Sequence, residues 1–173
     1  MNDKKYTKVS RIVDFYCFDG KNATHDFNSI MKFDFEQLEH NHRYIQWLFP
    51  LCKHSGYNLM APTLTNKDIS ILRSNKFAMK RLEQAFVKML DFYGYSYDGK
   101  MVMKNPNFHN RSVCWINGNN STNHNYLRIT RILKSLCLLG RRDLSRAFYN
   151  ALLELNKDYV IPEKTWIFWE RTQ

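Results

Sequence analysis

Apolar residues recur every three to four positions along residues 76–93, 124–139 and 143–156, and this spacing constrains the fold more than any other feature of the chain. It draws one apolar stripe along each of three long helices, and such a stripe has to be buried against another element. On the first helix the stripe is Ala78, Leu82, Ala85, Phe86, Met89, Leu90 and Tyr93, and Gly94 stands where a left-handed residue ends a helix. On the second, Ile129, Ile132, Leu133, Leu136 and Leu139 share half of the helical wheel, and Gly140 follows. Arg128, Arg131, Lys134 and Ser135 take the other half, with Leu127 and Leu138 among them. On the third, opened by Asp143, the stripe is Leu144, Ala147, Phe148, Ala151, Leu152 and Leu155. Glycine and proline are scarce, six and four in 173 residues, which fits helices joined by short to medium loops.

The remaining segments fit the same architecture. Val9, Ile12, Val13, Tyr16 and Cys17 have helical spacing within residues 7–18, and Asp19-Gly20 stops them. Residues 21–32 read as loop. Asp34 caps a helix running to about Phe49, where Pro50 ends it because proline cannot continue the hydrogen-bond pattern. Residues 53–64 are loop, and Thr65 caps a short helix carrying Ile69 and Leu72. Residues 95–121 form a long irregular segment, in which Tyr95-Ser96-Tyr97 and Met101-Val102-Met103 could pair as a hairpin around Asp98-Gly99. The tail, residues 157–173, holds Trp166, Phe168 and Trp169 and is expected to pack back on the body. The expectation is an all-α chain: one compact domain over residues 1–173, a bundle of about five or six helices with a single irregular stretch.

Charge narrows the partners. Lys and Arg number 26 against 16 Asp and Glu, a net charge of +10. Between Lys104 and Arg146 eight basic residues face one acid, Asp143, so that stretch holds +7 of the total. A basic face attracts nucleic acid, an anionic membrane surface met peripherally, or an acidic protein. Lys134, Arg141, Arg142 and Arg146, extended by Arg128 and Arg131, are the candidate face. Tyr93, Tyr95, Tyr97, Phe108, Trp115 and Tyr126 bracket it, the mixture that single-strand binders use, although aromatics are common throughout the chain. No run of 18 apolar residues exists for a membrane span, and the polar start MNDKKYTKVSR leads into no signal-peptide core. The four cysteines, at 17, 52, 114 and 137, form no CxxC pair and read as reduced thiols. The expected location is intracellular and soluble: nuclear or cytoplasmic in a eukaryote, cytoplasmic in a bacterium or virus.

A candidate crevice follows from helical edges. Tyr44-Ile45-Gln46-Trp47-Leu48-Phe49 is apolar around nearly its whole circumference except for Gln46, whose amide needs partners if it is buried. Glu39, His42 and Gln46 share one edge; His124, Arg128, Arg131 and Ser135 share another. If the edges face each other, His42, Gln46, His124, Arg128 and Arg131 line a polar crevice, and the guanidiniums suit a carboxylate or phosphate. The competing reading is a structural network, with Glu39 paired to Arg128. No catalytic motif is present, His40 and His42 point apart on a helix, and Cys52 and His54 lack further ligands. No catalytic residue, metal or cofactor is expected, and the residues by themselves name no function; the reading as a non-catalytic domain binding a peptide or protein partner rests on the resemblance given below. An electrostatic nucleic-acid binder is the first alternative and an enzyme of unrecognised type the second.

Three stretches, His42-Arg43-Tyr44-Ile45-Gln46-Trp47-Leu48-Phe49-Pro50, Met89-Leu90-Asp91-Phe92-Tyr93-Gly94 and His124-Asn125-Tyr126-Leu127-Arg128-Ile129-Thr130-Arg131-Ile132-Leu133-Lys134-Ser135-Leu136, together resemble the conserved domain of the opioid growth factor receptor family. The resemblance covers roughly residues 9–153, with a diverged segment at 101–123. It implies a mostly helical domain without catalysis. For the vertebrate members it implies binding of an enkephalin-type peptide, a nuclear location and restraint of proliferation. It assigns no binding residue to a position in this chain.

Overall fold

Helix α6, Lys76–Tyr93, is the longest element of the computed structural model, which describes residues 9–21, 25–54, 56, 61–116 and 123–173. Asn75 opens it by accepting a hydrogen bond from the Ala78 amide at 3.0 Å, and Gly94 closes it with φ of 86°. A Cβ at Gly94 would stand 2.6 Å from the Phe108 Cα, so both the conformation and the close approach demand glycine.

Before α6 come α1 (Arg11–Cys17), α2 (Phe27–Met31), α3 (Phe35–His40), α4 (Ile45–Leu48) and α5 (Asn66–Ser74). After it come the hairpin β1 (Tyr95–Tyr97) and β2 (Val102–Lys104), then α7 (Phe108–Trp115), α8 (His124–Leu138), α9 (Arg142–Leu155) and α10 (Glu163–Glu170). The hairpin is antiparallel, with Tyr95 opposite Lys104 and Tyr97 opposite Val102. The chain is therefore mostly helical rather than all-α, and ten helices lie among the described residues in place of five or six.

Each difference from the sequence expectation has a local cause. The single helix expected over 34–49 is broken, because the Asn41 side chain accepts from the Arg43 amide at 2.8 Å and Asn41 itself is extended. An Asn that bonds its own following backbone competes with helix continuation. The loop expected over 21–32 contains α2, capped by Asp26 onto the Ser29 amide at 2.7 Å. The stretch expected to be irregular, 95–121, holds the hairpin and α7; residues 117–122 lie outside the described set, as do residues 7 and 8 of the first expected helix.

One cluster of buried side chains runs from Ile12 on α1 to Trp169 on α10. It is unusually aromatic. Tyr93 meets Trp115 edge-on at 5.2 Å, and Tyr95 meets Phe148 at 5.9 Å, the perpendicular geometry that ring quadrupoles favour. Helices α8 and α9 pack against each other, turned by Gly140 with φ of 84°. The tail docks on α8, where Trp169 is fully buried and donates to Thr130 Oγ1 at 3.1 Å.

Candidate functional site

The junction between α3 and the start of α8 is built around one carboxylate. Glu39 Oε1 lies 2.8 Å from His124 Nε2, and Asn125 Nδ2 donates to both oxygens at 3.3 and 3.2 Å. A carboxylate against the first turn of a helix is favoured by the unpaired amides and the dipole there, so Glu39 fixes where α8 meets α3.

Arg128 sits one turn further along and is 4% exposed. Its Nη2 donates to the Glu39 carbonyl at 3.0 Å and the Asn41 carbonyl at 3.3 Å, and lies 3.2 Å from His42 Nδ1. Its Nη1 donates to Asn125 Oδ1 at 3.3 Å and stands 3.9 Å from Glu39 Oε2. The guanidinium also lies over the Tyr44 ring at 5.7 Å. Arg128 thus caps the carbonyls exposed where α3 breaks, and its fork is spent on structure.

Arg131 differs. Its one guanidinium hydrogen bond among the described residues goes from Nη1 to the Phe49 carbonyl at 3.2 Å. With Ser135 Oγ donating to the Pro50 carbonyl at 2.9 Å, it ties α8 to the end of α4. The rest of its donors remain available. Burial lowers its pKa from the ordinary value, a sign that the cation is partly desolvated.

These residues enclose a cleft of about 550 Å3 between α4 and α8. Arg128, Arg131 and Lys134 supply cations; His42, His54 and His124 supply imidazoles; Ile45, Leu51 and Leu127 supply apolar wall. No carboxylate lines it among the described residues. Gln46 belongs to the wall, is 5% exposed, and its Oε1 has no hydrogen-bond partner among the described residues. His42 and His124 stack edge-on at 5.2 Å, and burial followed by the Arg128 charge lowers the pKa of both, against the opposing pull of Glu39. Both imidazoles are neutral near neutral pH as a result, and His42 Nδ1 can accept from Arg128. A partly dry, cationic, acid-free cleft can hold an anion.

All five crevice residues, His42, Gln46, His124, Arg128 and Arg131, therefore come together, although the helix break places His42 differently from a continuous helix edge. The basic face does not assemble in the same way. Lys134 stands on the cleft rim with its ammonium 5.8 Å from the Phe168 ring. Arg141 is held by Glu83 at 2.8 Å and by both oxygens of Asp143, contacts that raise its pKa, Asp143 most of all. Arg142 Nη1 donates to the Gln173 carbonyl at 3.0 Å, and Arg146 is exposed. Of the bracketing aromatics, Tyr93, Tyr95, Phe108, Trp115 and Tyr126 are buried and packed on one another or on neighbouring rings; only Tyr97 reaches the surface.

Sequence reasoning missed Leu51, His54 and Leu127 as walls; Leu127, an apolar residue on the polar half of α8, was the available signal. It also missed a second concavity of about 940 Å3, where Met79 and Val87 on the outer edge of α6 face Phe27, Met31 and Tyr97. Among the described residues no group of three His, Cys, Asp or Glu is placed to hold a metal ion, and no helix is long and apolar enough to cross a membrane.

Residues 13–159 match the family described as the opioid growth factor receptor conserved region. The opioid growth factor receptor-like protein 1 of Xenopus tropicalis is 46% identical over 124 residues, 70% of this chain and 23% of that protein. The opioid growth factor receptor of Rattus norvegicus is 41% identical over 128 residues, 72% of this chain and 21% of that protein. The Homo sapiens receptor is 37% identical over 124 residues, 70% of this chain and 18% of that protein. The chain thus spans less than a quarter of the length of these curated relatives. No solved structure matches.

Proposed function

The chain belongs to the opioid growth factor receptor family, and from that premise we propose that it is a non-catalytic binding domain whose cleft between α4 and α8 takes a peptide or protein partner. The relatives are named as receptors of a growth factor, and the matched region contains every residue of the cleft wall. The observation that carries the reading is the cleft itself, which among the described residues combines cations with unused donors, an unpartnered buried amide oxygen and apolar wall in one concavity. Ligand sites of this size pair a mostly apolar lining with a few placed polar groups. We take residues 1–173 as one folded unit with its tail docked, acting in a reducing compartment. The four free thiols, two of them exposed, support that location.

The test is fluorescence anisotropy with a labelled pool of random decapeptides and with single-stranded and duplex oligonucleotides, each at low and near-physiological salt. Peptide binding that survives physiological salt and weakens in Arg131→Gln supports the proposal. Oligonucleotide binding with a steep salt slope, and none by peptides, would replace it with the nucleic-acid reading. The dispersal of Arg141 and Arg142 into local ion pairs and caps favours the peptide.

A further inference from the structure

Resting on the binding reading above, we infer that the cleft recognises a free peptide C-terminus ending in an apolar residue. Three features of the wall ask for three features of one ligand.

The first is charge. Leu127, Arg131 and Lys134 are spaced by four and three, so they share one face of α8, and that face lines the cleft. Arg131 has donors left after its bond to Phe49, and Lys134 is exposed at the rim. No acid stands in the described wall to neutralise them. Arg128 contributes background field and no contact, since its donors already serve Glu39, Asn41 and Asn125. The ligand group is an anion, and a planar carboxylate fits the guanidinium fork.

The second is the Gln46 amide, 5% exposed with an oxygen that lacks a partner among the described residues. A buried acceptor without a donor is destabilising, and a ligand bearing an N–H removes the deficit. An anion alone cannot do this, nor can a phosphodiester linkage, which has no donor. A C-terminal residue carries its carboxylate and its amide N–H on the same Cα. The third feature is the apolar wall of Ile45, Leu51 and Leu127, which suits an aliphatic side chain on that same Cα. About 550 Å3 admits a terminal residue and the peptide unit before it.

The experiment follows the Gln46 side-chain amide and the Arg131 Nε–H by NMR in the 15N-labelled full chain during four titrations. N-acetyl-leucine presents all three features. N-acetyl-leucinamide lacks the anion, 4-methylpentanoate lacks the N–H, and inorganic sulfate is an anion without a donor. N-acetyl-leucine should bind at least about tenfold more tightly than each of the other three. Gln46→Leu should erase its advantage over 4-methylpentanoate and keep its advantage over the amide; Lys134→Gln, at an exposed position, should weaken both acids. If Gln46→Leu does not fold, the four-probe comparison on the unaltered chain and on Lys134→Gln still decides. Equal binding of N-acetyl-leucinamide or of sulfate overturns the inference. No shift with any probe at tens of millimolar also overturns it. The binding proposal falls as well only if the random decapeptide pool fails to bind; a pool that binds while the four probes do not removes this inference alone.

Discussion

Arg128 and Arg131 stand on one helix edge, and the structure gives them different work. Replacing Arg128 with leucine removes the donor from the Glu39 and Asn41 carbonyls, at 3.0 and 3.3 Å, and the nearby positive charge from Glu39. Removing one partner from a buried ionic network costs about 3–5 kcal/mol. Glu39 keeps His124 and Asn125 and is 25% exposed, so the lower end applies, about 3 kcal/mol. Against a typical total of about 5–15 kcal/mol, that is a large fraction. At about 2–4 °C per kcal/mol for a chain of this size, the melting temperature should fall by about 6–12 °C. Arg131→Gln loses one hydrogen bond and should cost about 1 kcal/mol. Urea unfolding followed by circular dichroism and by tryptophan fluorescence measures both, with coincidence of the two probes checking two-state behaviour. The assignment fails if Arg128→Leu unfolds within about 1 kcal/mol of the parent chain, or if Arg131→Gln proves the more damaging. Peptide binding should show the reverse order for variants that remain folded.

Three further outcomes follow from local geometry. Gly94→Ala combines a φ of 86° with a 2.6 Å approach to the Phe108 backbone, whereas Gly99→Ala has a φ of 98° and open space. Gly99→Ala should cost about 1 kcal/mol and Gly94→Ala at least about 2 kcal/mol more, measured by urea midpoints, and equal costs would refute the clash. His42 and His124 have folded pKa values below the ordinary 6.5, so the unfolded chain binds more protons as pH falls through that value. Stability should therefore decline with acidification through this window and level off below the folded values, while protonation adds charge to the cleft and tightens anion binding. Urea midpoints and N-acetyl-leucine titrations between about pH 7 and about pH 5 should move in opposite directions, and parallel movement would contradict the assignment. Cys52 and Cys114 are exposed, while Cys17 and Cys137 are partly covered and burial pushes the Cys17 thiol up. A colourimetric thiol reagent should find two fast equivalents and two slow ones, and four fast equivalents would mean that α1 and the docked tail open readily.

The long helices were legible because periodicity and caps agreed. Asn75, Gly94 and Gly140 mark boundaries that the apolar stripes of α6 and α8 also require. The short helices were not legible, since α2 and α4 span five and four residues and show little more than one turn of pattern. The break at Asn41 depends on a side chain choosing the Arg43 amide over solvent, a choice that spacing alone does not decide. The cleft was half legible. Helical edges brought Gln46, Arg128 and Arg131 together on paper, but His54 and Leu51 reach it from a loop that carries no period. Arg141 was illegible for a related reason: charge counted along the chain does not see that Glu83, from another helix, pairs with it.

The edge of α8 explains how structural and available charge can share one helix. Arg128, Arg131 and Lys134 are each three residues apart, while the helix turns every 3.6 residues, so each successive cation is rotated about 60° from the last. Burial follows that rotation: Arg128 is 4% exposed, Arg131 is half-buried, and Lys134 is exposed. The innermost charge can exist only with a full set of partners, and Glu39, Asn41 and Asn125 provide them. The outermost is screened by water and holds a ligand weakly alone. Arg131 lies between, dry enough for its interactions to be strong and with donors still unspent, which makes it the position where an incoming anion gains most. A variant set that moves the charge by one step, Arg131→Gln with Leu127→Arg, keeps the net charge and shifts the cation by one turn on the same face. It should keep any purely electrostatic attraction of the basic surface while losing discrimination between N-acetyl-leucine and its amide. Retained discrimination would show that attraction to the surface as a whole, and not the graded edge, selects the ligand.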